Sequence, residues 1–143
     1  MIAALVLACA TVHVTISPPK PLDLERMLEA IKQVEAWDGK TRGKAGEWGP
    51  WQMTPEVWHY YTTKSMTWAT PFQLRTNARR ELVRLSEQIV CLRQPVTAFN
   101  LALAYGGGLR LIGRKEVPAA KLDYAQRVEN CYQDGLQRPV ESP

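Results

Sequence analysis

Leu22 to Trp37 reads LDLERMLEAIKQVEAW, and this stretch decides the fold. Leu24, Met27, Leu28, Ile31 and Val34 recur at the three- and four-residue spacing of one helical face. Glu25, Arg26, Glu29, Lys32 and Gln33 fall on the other side. The spacing predicts one amphipathic helix, with Gly39 as its C-terminal cap. Glu35 lies four residues after Ile31 and seven after Leu28, so it shares the apolar face. Apolar surroundings disfavour the charged carboxylate, and the negative end of the helix dipole adds to that penalty. A carboxyl group that keeps its proton near neutral pH can serve as a general acid. The plainer alternative is a solvated or ion-paired glutamate near a helix end.

The helix runs into Asp38 to Met53, DGKTRGKAGEWGPWQM. Four glycines (Gly39, Gly43, Gly46, Gly49) and Pro50 exclude a regular helix or a central strand. The same loop holds Trp48, Trp51 and Gln52. Glycine-rich loops that carry large aromatics are commonly binding loops on a rigid scaffold. An indole face packs on the C–H face of a sugar ring, and a glutamine amide offers both donor and acceptor. The competing reading makes both tryptophans core plugs over the helices.

Glu35, followed by Gly46-Glu47-Trp48-Gly49-Pro50-Trp51-Gln52-Met53, resembles the pattern of lytic transglycosylases and goose-type lysozymes. That pattern is a catalytic glutamate, then a glycine loop ending in Gly-Leu-Met-Gln-Ile or similar. Gly49 and Gln52 match its end, Met53 stands in for its last apolar residue, and Pro50 and Trp51 replace its apolar pair. Ala102-Leu103-Ala104-Tyr105-Gly106-Gly107-Gly108 is similar to the family's Ala-Tyr-Asn-x-Gly segment, with Gly106 at the asparagine. Tyr124-Ala125-Gln126-Arg127-Val128 resembles its closing Tyr-Val-x-x-Val helix. The matches follow in order from Leu22 to Tyr132. Ala36-Trp37, Gly43 and Ala120-Lys121 depart from the Ser or Gly, the Ser and the Glu-Thr of the family.

The resemblance implies an all-α, single lysozyme-like helical domain with a glycine-rich active-site loop. It implies an enzyme that cleaves peptidoglycan glycan strands, with Glu35 as catalytic acid and then base. Glu47, Trp48, Gly49, Trp51, Gln52, Met53, Tyr105 and Tyr124 would contact substrate, Tyr105 and Tyr124 also orienting Glu35. Glu47 and Asp38 are the nearby candidates for a second acid. The rival class is a non-catalytic glycan-binding or envelope-assembly module, which Gly106 favours.

The chain has 143 residues, enough for one domain with a core. Net charge is +4 and the pI near 9.1, which suits an anionic partner such as a cell-wall polymer. Asn77-Ala78-Arg79-Arg80 with Arg84 is the densest basic patch. It reads as the solvated side of a helix, and with no nucleic-acid-binding motif beside it, no nucleic-acid partner is expected. No His-Glu-x-x-His, Cys-x-x-Cys, Gly-x-Ser-x-Gly or phosphate loop occurs, so no metal or cofactor is expected. His13 and His59 are the two histidines, and His59 reads as a helix-surface residue.

Ile2 to Ala10 is apolar but too short to span a bilayer, and Ala8-Cys9-Ala10 fits a cleavage site. Residues 1–10 therefore read as a signal peptide, with a lipid-modified Cys9 or a buried strand over Thr11 to Ile16 as alternatives. Export to the periplasm or cell envelope is expected, with no stable membrane span and a monomeric chain. Cleavage would leave Cys91 and Cys131, an even pair open to a disulfide or to two buried thiols. Residues 11–21 read as a linker, 22–135 as the domain and 136–143 as a tail. Thr54-Pro55 and Thr70-Pro71 are N-cap plus N1-proline signals, opening a short helix to Tyr61 and a long one from Phe72 to Leu92. Its apolar set includes Ala78, Leu82, Leu85, Ile89 and Leu92. Val96 to Tyr105 is apolar almost all round, as a central buried helix would be, and ends at the glycine triplet. Pro118 to Asp134 predicts the last helix, closed by Gly135.

Overall fold

The computed structural model describes residues 21–35 and 42–137. Within them the chain is all-α. Helix α1 spans Leu24–Glu35, α2 Pro55–Tyr61, α3 Pro71–Cys91, α4 Ala98–Gly107 and α5 Ala119–Gln137. Short 3-10 turns at Met66–Trp68 and Leu109–Leu111 lead into α3 and out of α4. The expected leader and most of the expected linker, Asp38 and the Gly39 cap lie outside the described residues.

The helices begin where their caps dictate. Asp23 Oδ1 accepts from the backbone N–H groups of Glu25 and Arg26 and opens α1. Thr54 accepts from Val57 N–H to open α2. Thr70 and Gln73 form a reciprocal capping box ahead of α3, with Pro71 in the first turn. Thr97 caps α4 by accepting from Asn100 N–H.

The core lies between α1, α3, α4 and α5. Met27, Leu28, Ile31 and Val34 are the buried face of α1. Helix α4 presents Ala98, Leu101, Ala102, Leu103 and Ala104 to its neighbours and is buried almost all round. Its alanines let α3 and α5 approach closely. Leu74, Ala78, Leu82, Leu85 and Ile89 complete the α3 face. Leu92 does not join them. The helix stops at Cys91, and Leu92 turns outward as its C-cap, 49% exposed.

Three further expectations change. Gly135 does not close α5, because the helix continues to Gln137 with Gly135 resting against the Arg26 side chain of α1. Docking along α1 sustains the helix past a residue that alone would end it. Cys91 and Cys131 are free thiols, and Cys91 is exposed. It lies at the end of α3 between the outward Val90 and Leu92, while α5 docks on α1 and α4. The basic patch on α3 is largely paired. Arg75 and Arg79 both bind the Glu25 carboxylate of α1, at 2.6 and 2.8 Å, and Asn77 and Ala78 are buried.

Candidate functional site

The glycine loop folds over the end of α1. Trp48 exchanges backbone hydrogen bonds with Met53, at 2.9 and 3.0 Å, and Gly43 N–H donates to Glu47 O at 2.8 Å. Between them Gly49 to Gln52 makes a tight turn, with Gln52 N–H and its side-chain amide both donating to Gly49 O. Gly49 has φ +75°, and a side chain there would strike Leu74 of α3. Gln52 is held at φ 43°, an uncommon conformation for a residue with a side chain, and one found often at functional sites.

That turn brings four segments around one cleft of about 510 Å³. Helix α1 contributes Glu35 and the loop contributes Glu47 and Gln52. The end of α4 contributes Tyr105 and Gly106, and the first turns of α5 contribute Lys121, Tyr124 and Arg127. Glu35 is half-buried, and burial raises its pKa above the ordinary carboxyl value. The Tyr124 hydroxyl opposes this, the Glu47 charge reinforces it, and Lys121 and Arg127 oppose it more weakly.

Tyr124 is sunk into the cleft wall, where burial and the Glu35 charge push its own pKa well up. Its hydroxyl is close enough to act on Glu35, yet the contact stops short of a well-formed hydrogen bond. The hydroxyl has no other partner among the described residues. It is a buried donor aimed at a carboxyl group. Its ring rests on Gly106: a side chain there would overlap the ring, with Cδ1 only 2.6 Å from the added carbon. Glycine at position 106 is therefore what admits Tyr124 to the site. Gly43 follows the same logic, since a side chain there would meet the Glu47 carboxylate and Gln52 Oε1.

Tyr105 has a different role from Tyr124. Its hydroxyl donates to Trp51 O at 2.8 Å, tying α4 to the loop. Trp51 in turn donates its indole N–H to Leu28 O on α1 at 3.1 Å. Trp51 is 4% exposed, Met53 is buried in the core and Gly49 is buried beneath the turn. These three hold the loop from below, and for Trp51 the core-plug reading is the one the geometry fits. Trp48 is half-buried against the core and is not among the cleft residues. Glu47 does face the cleft, its Oε2 steadied by Ala45 N–H at 2.9 Å. Asp38 lies outside the described residues.

Past Gly106 the cleft continues into a second arm of about 590 Å³, sharing Thr54, Tyr105, Gly106 and Lys121 with the first. Sequence reasoning did not identify this arm. Its exposed aromatic is Tyr60, 69% exposed, with the Arg84 guanidinium 5.4 Å from the ring centroid and Tyr61 packed edge-on behind it. On its floor is Glu81, 5% exposed. Both Glu81 oxygens are occupied, by Arg84 in a bidentate pair and by the Tyr61 hydroxyl at 2.8 Å. Glu81 is thus a brace rather than a proton donor. Its spacing, seven residues after Leu74, three after Ala78 and four before Leu85, puts it on the apolar face of α3, a signal that sequence reasoning passed over.

Among the described residues no group of three His, Cys, Asp or Glu side chains is placed to hold a metal ion, and no helix is long and apolar enough to cross a membrane. No family model, curated protein or solved structure matches the chain.

Proposed function

We propose that the protein is a lytic transglycosylase that cleaves the β-1,4 bond between N-acetylmuramic acid and N-acetylglucosamine in peptidoglycan. The observation that carries this reading is Glu35. It is a carboxyl group with raised proton affinity, in the wall of a cleft that continues as an open groove. A groove of this kind suits a chain polymer better than a small ligand. Glu35 protonates the glycosidic oxygen. Once ionised, it faces Lys121, Arg127 and the Tyr124 hydroxyl, all of which favour its charged form. It then takes the proton of the C6 hydroxyl on the same muramic acid, which attacks C1 and closes a 1,6-anhydro ring. One carboxyl group suffices for this sequence, whereas most glycosidases use two. Tyr60 offers a flat face to a sugar further along the groove.

Glu47 supports a second outcome. It shares the cleft with Glu35, and its charge helps to raise the Glu35 pKa. A second carboxylate there could direct water onto C1, and the enzyme would then be a hydrolase.

Clearing of purified cell walls tests the proposal. Glu35→Gln keeps the shape and removes the transferable proton, so the rate should fall by at least roughly 10²-fold, in the range general acid–base catalysis supplies. Walls cleared at the native rate by Glu35→Gln would end the proposal. Native protein that sediments with walls but leaves them intact is a binding module. Mass spectrometry of the products separates the two outcomes: anhydro-muramyl ends are one water lighter than the reducing ends that hydrolysis leaves.

A further inference from the structure

Both arms of the groove carry charges of both signs. The first balances Glu35, Glu47 and Asp123 against Lys44, Lys121 and Arg127. The second is lined by Glu56, Glu81, Arg84, Arg110 and the shared Lys121. There Arg84 already satisfies Glu81, and Lys121 donates to Gly106 O at the junction. Arg110 is different. It stands exposed on the 3-10 turn after α4, on the wall of the second arm, and its side chain makes no hydrogen bond or ion pair among the described residues. Its other side borders a further cavity beside Arg114 and Glu116, and the Arg114 side chain makes no such pair among them either. Gly108, at φ +88°, starts this turn, and a side chain added there would meet nothing within 4 Å.

A guanidinium with five donors and no partner, beside a groove, is a carboxylate receptor awaiting its ligand. We infer that the second arm reads the peptide stem of the polymer, with Arg110 binding a stem carboxylate. This rests on the proposed peptidoglycan substrate. In that polymer the glycan backbone around the scissile bond carries no charge of its own beyond the stem attachment, and the carboxylates sit on the stems. A strand with its scissile bond at Glu35 would extend past Gly106 and bring a neighbouring stem to the side of the groove where Arg110 stands.

The test uses the full chain and two substrates: stem-bearing glycan strands, and the same strands with every stem carboxylate converted to a neutral methylamide. Binding is measured by co-sedimentation or titration, and cleavage by product release. The native protein should prefer strands with free stem carboxylates by roughly threefold to tenfold in Kd and KM at low salt, the scale of a single exposed charge contact. That preference should shrink as ionic strength rises. Arg110→Ala should abolish the preference, and Arg110→Lys should restore part of it. Arg110 is exposed and unpaired, so the fold does not depend on it.

Equal affinity of the native protein for both strands would overturn the inference. So would an Arg110→Ala variant that retains the native preference, or one weakened equally on both strands. If strands are cleaved without regard to stem carboxylates, the subsite is wrong and the proposed catalysis stands. If carboxylate-dependent binding is lost in Arg110→Ala but no strand is ever cleaved, the subsite stands and the catalysis is wrong.

Discussion

Glu35 is costly to the fold. Its proton affinity is raised above the ordinary carboxyl value of 4.5, chiefly by burial. The folded chain therefore holds a proton that the unfolded chain releases. Stability falls as pH rises from 4.5 toward the folded pKa of Glu35, and stays lower above it. Glu35→Gln has no charge to bury. It should melt higher than the native protein at neutral pH, and the advantage should fade in acid; thermal melts at both pH values check this. Under the proposed mechanism the same carboxyl should set the alkaline limit of activity, because the acid form is the one that donates. Glu47→Gln removes a repelling charge, so Glu35 loses its proton sooner and the alkaline limb should move to lower pH. Arg127→Met removes an attracting charge, and the limb should move to higher pH. Shifts in the opposite directions would deny Glu35 the acid role. Tyr124→Phe removes the donor that steadies the ionised carboxylate, so it also should raise the limb. Its hydroxyl has no other partner, so little stability should be lost with it, on the order of 1 kcal/mol or less.

The junction of α4 and α5 depends on having no side chain at Gly106, where the Tyr124 ring lies. Gly106→Ala should cost about 1–3 kcal/mol, the usual penalty for forcing an extra carbon into a packed site. It should also lose activity by displacing Tyr124. Chemical denaturation and wall clearing read the two effects separately. The Glu81–Arg84 pair braces α3 against α2 through Tyr61. Glu81→Gln leaves Arg84 with a weaker partner, and a loss of roughly 3 kcal/mol is expected for disrupting a largely buried pair. The helices were readable because their signals are local: Thr-Pro caps, a glycine stop after α4, and the three- and four-residue spacing that puts Glu35 among Leu28 and Ile31. Gln52, Tyr105 and Tyr124 line the cleft with Glu35. What was not readable depends on packing between distant segments. Period and propensity cannot say that Trp51 turns inward while Tyr60 turns outward, that Glu81 meets the Tyr61 hydroxyl of α2, or that Arg79 finds Glu25 on another helix. Gly135 shows the same limit, since a stop signal yields where α5 has a neighbour to lie against.

The molecule carries +4 overall, and its cleft is lined by charges of both signs. Wall association should therefore weaken with added salt, as attraction between exposed opposite charges is screened. Sedimentation with purified walls at low and high ionic strength measures it, and salt-independent binding would point to contacts that are mainly apolar. The loop over the cleft is anchored through its own indole. Trp51 bonds back to Leu28 on α1 and receives Tyr105 from α4, so the segment bearing Glu47 and Gln52 cannot swing away as a hinged flap. Moving it means withdrawing a tryptophan from the core, which is a partial unfolding event. In hydrogen-exchange terms, the Trp51 indole proton should be among the slowest side-chain protons in the protein. Its exchange should track global stability, in contrast to the fast local opening of a mobile lid. A substrate strand would then enter along a groove whose Trp51-anchored wall is already in place.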